Sequence, residues 1–145
     1  MVAPHTPDPL LGLPGYALRR AANAMMSELA GLLAAIDLKI SDASVLLLVQ
    51  NRTDMTSSEI GKILDIQRAN MVPLLARLET LGLIDRLPID RKSQAIVLTQ
   101  TGQTRLAQVQ DITTRFEQDL MARIPAAHRP HFLPALHALT AKPAT

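Results

Sequence analysis

The chain lacks cysteine and tryptophan altogether and has only two phenylalanines and one tyrosine in 145 residues. Without cysteine there are no disulfides, thiolate metal sites, cysteine nucleophile or thiol-based redox sensing. That also fits a cytosolic chain. With so few aromatics, the core must be built from leucine, isoleucine, valine, alanine and methionine. Hydrophobic residues make up 48% of the sequence, enough for the core of one domain. Leucine, alanine and methionine are good helix formers, so an α-rich fold is expected. Long apolar runs are missing too. The stretch Val45 to Val49 is far too short to span a bilayer. Met1 to Leu13 has neither the basic start nor the apolar stretch of a signal peptide. No sign of charge dominates: the formal net charge is +2, which neither requires nor excludes a nucleic acid partner.

Enzyme signatures are absent from the sequence. There is no Ser-His-Asp spacing, no phosphate loop, no metal-protease motif and no paired carboxylates in a plausible cleft. The expectation is a binding protein, not an enzyme, with no cofactor.

What is present is helical periodicity. Residues 1–13 carry three prolines and read as a flexible arm. Pro14 suits an early helical position, and a first helix is expected from there to Ile36, with Leu18, Ala22, Met25, Leu29, Leu32, Leu33 and Ile36 as its stripe. Ser41 reads as the N-cap of a second helix over Asp42 to Gln50. Thr56-Ser57-Ser58-Glu59 matches a capping box, which starts a short third helix ending at Leu64. After a tight turn at Asp65 and Ile66, a fourth helix runs from Gln67 to Thr80. Its apolar face is Met71, Leu74, Leu75 and Leu78, and Gly82 is placed to end it. The period then changes. Leu83 to Leu87 and Ala95 to Leu98 read as two strands of a hairpin with a polar turn over Pro88 to Gln94. Thr99 or Thr101 caps a long fifth helix carrying Leu106, Val109, Ile112, Phe116 and Leu120. A last helix spans Pro125 to Leu139, where Pro130 and Pro134 predict a kink or a late start.

Two short helices, a tight turn and a hairpin form a unit in which the second helix can enter a DNA major groove. The residues of that unit carry a family resemblance. Thr56 to Leu64 and Gln67 to Glu79 resemble the two motif helices of the MarR family. Leu81-Gly82-Leu83-Ile84-Asp85-Arg86 resembles its following strand, Asp90-Arg91-Lys92 its wing, and Leu98-Thr99-Gln100-Thr101-Gly102 the start of its next helix. The pieces occur in family order over residues 40–102.

The resemblance implies a mainly α fold with a small β-hairpin wing, a winged helix-turn-helix flanked by long N- and C-terminal dimerisation helices. It divides the chain into an arm at 1–13, a dimerisation helix at 14–38, a DNA-binding domain at 39–100, C-terminal dimerisation helices at 101–140 and a tail at 141–145. It implies a cytoplasmic homodimer that binds a pseudo-palindromic duplex operator, and a regulator of transcription, most simply a repressor. Gln67, Arg68, Ala69 and Asn70 would stand at the start of the reading helix, where asparagine suits adenine and arginine suits guanine. Arg77 would meet a phosphate. Thr56, Ser57 and Ser58 would hold another phosphate at a helix N-terminus. Arg91, supported by Lys92, would enter the minor groove. Pro73 departs from the family pattern, which has a polar residue there. Its DNA side, Ala69, Val72, Pro73 and Ala76, implies either thymine-methyl contacts or weak base reading. The wing is about two residues short of the common pattern by motif spacing.

Plainer readings stand beside these. Taken alone, Arg68 and Arg77 read as solvated helix charges, with Glu79 or Asp65 as available partners; inside the motif, DNA contact is the favoured reading. His128, His131 and His137 lie close in sequence, but no cysteine or carboxylate completes a metal set, so no metal is expected. The resemblance also implies a small aromatic or anionic effector, with Tyr16, Arg19, Arg20 and Met25 as candidate contacts by position on the first helix. The alternative function is a winged-helix protein-interaction module without specific DNA binding, for which the apolar face from Ala69 to Ala76 would serve.

Overall fold

The computed structural model describes residues 8–141. Its helices are α1 (Pro14–Ala34), α2 (Ile40–Val49), α3 (Ser57–Leu64), α4 (Arg68–Thr80), α5 (Gln100–Arg123) and α6 (Arg129–Thr140). Between α4 and α5 lie the strands β1 (Ile84–Pro88) and β2 (Gln94–Leu98). Of the arm expected over residues 1–13, the first seven lie outside the described residues, as do residues 142–145 of the tail. The remainder of the arm is ordered: Pro9–Gly12 form a 3-10 turn, and the Asp8 side chain accepts the Leu10 N–H at 2.9 Å.

Side chains decide where the helices start. The Thr56 hydroxyl accepts the Glu59 N–H at 3.2 Å, one half of the expected capping box. Thr99, not Thr101, caps α5, accepting the Gly102 N–H at 2.9 Å. Ser41 does not cap α2. The cap position belongs to Lys39, whose N–H donates to the Asp42 carboxylate at 2.8 Å. A carboxylate in the first turn is a stronger acceptor than a hydroxyl and also favours the positive end of the helix dipole. Ser41 therefore falls inside the helix. At the C-terminal end of the chain, the proline pair produces the late start: Ala126–His128 make a 3-10 turn, and α6 begins with Pro130 in its first turn. There the missing N–H costs no intrahelical bond.

Three helices end alike. Within three residues of each end a residue adopts the left-handed conformation: Asp37 after α1, Asp65 after α3 and Gly82 after α4. The next N–H in each case reaches back five residues, from Leu38 to Leu33 O (3.2 Å), Ile66 to Gly61 O (2.8 Å) and Leu83 to Leu78 O (3.0 Å). Aspartate takes the glycine position twice, as its short polar side chain allows.

The hairpin is antiparallel, with Ile84 opposite Leu98, Arg86 opposite Ile96 and Pro88 opposite Gln94. It is fastened to the helices on the β2 side, where Ile96 N–H donates to Met55 O at 2.8 Å and Thr56 bridges Ala95. The core runs from Leu33 through α2, α3 and α4 to Ile84, Ile96, Leu106 and Val109. The ends of the chain contribute little to it. Among its 21 residues α1 buries Leu33 alone, and α6 buries none. Leu18, Met26, Leu32, Leu133 and Leu139 stand exposed. No helix among the described residues is long and apolar enough to cross a membrane.

One glycine is fixed by contact. At Gly102 the first turn of α5 lies against the Leu83 carbonyl, and a Cβ built there would collide with that oxygen. The same carbonyl accepts the Thr99 N–H at 3.1 Å, so the loop after α4 cannot retreat without losing the start of α5. Gly102→Ala is expected to lower unfolding stability by about 2 kcal/mol, measured as a lower urea midpoint at constant slope. An unchanged midpoint would show that the two backbones are free to part.

Candidate nucleic-acid interface

The reading unit is built from α3 and α4 joined at Asp65, Ile66 and Gln67. Met71, Leu75 and Leu78 are buried and hold α4 to the core, with Leu74 half-buried beside them. The opposite face of α4 is exposed from Arg68 to Ala76. The helix runs unbroken through Pro73.

Between α3, the first turn of α4 and the hairpin lies an open groove of about 1030 Å³. Seven of the residues predicted to meet DNA line it: Thr56, Ser57, Ser58, Gln67, Arg68, Arg91 and Lys92. Lys62 and Arg86 line it too, and sequence reasoning gave neither a role. Arg86 stood inside the quoted strand motif, and Lys62 lies two residues past buried Ile60 on an amphipathic helix, so the signal was there to use. Five cations therefore face this groove, against the carboxylates of Asp65 and Asp90. Ala69, Asn70 and Pro73 are exposed on α4 but are not on the groove wall.

Two polar arrangements shape the wing. Asp90 Oδ1 accepts the N–H groups of Lys92 and Ser93, both at 2.8 Å, while Ile89 N–H donates to Ser93 O at 2.9 Å. The Lys92 and Ser93 N–H donors hold the Asp90 carboxyl below the usual carboxylate range. Asp90 is thus the organiser of the turn and leaves Arg91 and Lys92 exposed. At the hairpin's base, Arg86 Nε donates to Glu79 Oε1 at 2.6 Å, which fixes β1 to the last turn of α4.

Comparison with known proteins agrees with this geometry. The MarR family model matches residues 36–95. A Thauera aromatica protein assigned to regulation of the hcr operon is 30% identical over 87 residues, which are 59% of this chain and 52% of that protein. The match thus spans about half the length of that curated relative. The transcriptional repressor CouR, solved on a 23-mer DNA duplex, is 32% identical with a TM-score of 0.83, covering 91% of this chain and 95% of that one. CouR bound to p-coumaroyl-CoA is 29% identical with a TM-score of 0.81, covering 94% and 99%. The chain belongs to the MarR family.

In this MarR protein Arg77, expected on a phosphate, does not line the groove. It lies on the flank of α4 facing α2. Its Nε donates to Asp42 Oδ2 at 3.2 Å and its Nη2 to the Asp37 carbonyl at 3.1 Å. Asp42 is fully buried, and its other oxygen has no hydrogen-bond partner. A buried carboxylate demands a counter-charge, and Arg77 is the cation within reach. Arg105 of α5 meets the same region, donating to the Ile36 carbonyl. The C-terminal end of α1 is therefore held by arginines from α4 and α5.

The four effector candidates of the MarR resemblance are scattered differently. Arg20 lies over the Tyr16 ring, 4.9 Å from its centroid, and is paired with Asp8. Arg19 is exposed and Met25 half-buried. None of the four lines the groove or the shallow cleft of about 520 Å³ under Arg77, which is bounded by Ala34, Asp37, Leu38, Lys39 and Leu81. His128, His131 and His137 form no group of three metal-ligating side chains with their neighbours among the described residues.

Arg77→Ala is expected to destabilise the fold by about 3 kcal/mol, because it strands the Asp42 carboxylate. Asp42→Ala added to it should restore part of the loss. Chemical denaturation of the single and double variants measures both. A double variant no more stable than Arg77→Ala alone would mean that the arginine contributes packing only.

Proposed function

We propose that the protein is a homodimeric repressor, working in the cytoplasm, that binds duplex DNA at a pseudo-palindromic operator and is released by an aromatic anion. It acts by binding alone and performs no chemistry. The observation that carries this reading is the sorting of charge. In a chain of net charge +2, Lys62, Arg68, Arg91 and Lys92 face one groove between α3, α4 and the wing, beside an Arg86 that is paired with Glu79. That arrangement attracts phosphates on both sides of a helix lodged in the major groove. The near full-length likeness to a repressor solved on DNA supports it.

The bare ends support the dimer. Leu18 and Leu32 of α1 and Leu133 and Leu139 of α6 are large apolar side chains left exposed on two helices that contribute little to the core. A second copy covers them and sets the two α4 helices about one DNA turn apart. Release then follows as a population shift: ligand favours a dimer whose α4 spacing no longer fits the half-sites. The ligand bound by CouR, p-coumaroyl-CoA, makes an aromatic acyl thioester of coenzyme A the first class to try.

The deciding experiment titrates the protein onto a duplex recovered by selection from a randomised pool, at two salt concentrations, beside unselected DNA. Tight, salt-dependent preference for the selected duplex is expected. Arg68→Ala should weaken it about tenfold, and Arg91→Ala should lower the salt slope by about one. p-Coumaroyl-CoA should then displace the DNA. Equal affinity for selected and unselected duplex would remove the operator-binding reading, and saturating thioester without effect would remove that ligand class.

Light scattering should give twice the chain mass for the native protein. Leu18→Glu with Leu133→Glu should give a monomer that has lost most of its operator affinity. A double variant that stays dimeric would place the contact elsewhere.

A further inference from the structure

We propose that the middle of α4 reads thymine 5-methyl groups, with Val72 as the main specificity-determining contact. The proposal rests on the operator-binding reading above. The outward face of α4 carries Ala69, Val72, Pro73 and Ala76, all exposed. Val72 is 65% exposed, so most of a branched aliphatic side chain stands in water. It also lines the DNA groove beside Gln67 and Arg68. None of the four can donate or accept a side-chain hydrogen bond.

The polar groups that could substitute for them are engaged elsewhere. Arg77, on the next turn, is committed to Asp42 and the Asp37 carbonyl. Arg86 is paired with Glu79 at the wing base. Hydrogen-bond reading by α4 is left to Gln67, Arg68 and Asn70 in its first turn. Beyond that turn only apolar contact is available. The major-groove floor offers one apolar group, the C5 methyl of thymine. From Ala69 to Ala76 the helix rises about 10 Å, which covers about three base-pair steps. Each half-site should therefore carry thymines at adjacent positions under this strip.

Replacing thymine by deoxyuridine removes that methyl and leaves the base pair, the phosphates and the minor-groove edge intact. The test uses the full chain and the duplex recovered by selection, with thymines changed to deoxyuridine one at a time. Affinity is expected to fall about fourfold for each methyl removed under the strip, with the salt slope unchanged. Deoxyuridine at positions facing the wing should have no effect. In Val72→Ser, deoxyuridine and thymine should bind alike at the position beneath residue 72. The inference is overturned if deoxyuridine binds as tightly as thymine at every major-groove position, or if the penalty persists undiminished in Val72→Ser. Failure to recover any preferred duplex would overturn the operator reading itself, and this inference with it.

Discussion

The position of the reading helix depends on a single buried carboxylate. Asp42 does two things at once: it accepts the Lys39 N–H that starts α2 and it takes the Arg77 guanidinium from the side of α4. Arg77 in turn donates to the Asp37 carbonyl, and Arg105 donates to the Ile36 carbonyl one residue earlier. These carbonyls lie just past α1, at the negative end of its dipole, where cations are favoured. Three helices thus meet at the last turn of α1 through charged groups rather than through apolar packing alone. Apolar contact is non-directional and would let α4 slide or rotate by small amounts. A charge-assisted hydrogen bond to a buried acceptor has a direction, and so fixes the azimuth of the face that α4 presents.

The interface follows the same division between charge that folds and charge that reads. Arg77, Arg86 and Asp90 are spent on the protein: one on Asp42, one on Glu79, one on the wing's own backbone. Arg68, Arg91 and Lys92 are exposed at the groove, and among the described residues their side chains make no ion pair. The near-neutral total conceals this. What matters for a polyanion is the local field along one groove, and net charge is blind to how the signs are sorted.

The elements with strong local signals were legible in the sequence. The stripe of α4, the Thr56 cap, the Gly82 terminator and the change of period at the hairpin all depend on residues within a few positions of one another. The errors came where a distant group won. Ser41 was a sound local choice of cap, but Asp42 was better placed once it had Arg77 to neutralise it. For Arg77, what the sequence did not offer was its partner inside the protein, Asp42. Only the fold brings it against a residue 35 positions earlier. For the effector candidates on α1, position alone was not enough. Arg20 finds Tyr16 on its own helix and Asp8 before it, and none of them lines the groove or the cleft under Arg77.

That last point bears on how a signal would reach DNA. The buried core stops near Leu33 at one end and Phe116 at the other, so the outer lengths of α1 and α6 bury no side chain fully against their own chain. In the dimer proposed above, their positions are set by the partner copy. The end of α1 is nonetheless tied to α4 through Arg77. Any ligand that changes how two copies of α1 pack therefore acts on the same residues that orient the reading helices. No long-range pathway is required, because the regulated interface and the reading helix share one junction. The energy available for regulation is then limited by the difference in ligand affinity between the two dimer packings. The stiffness of the Asp42–Arg77 link decides how much of a shift in α1 reaches α4.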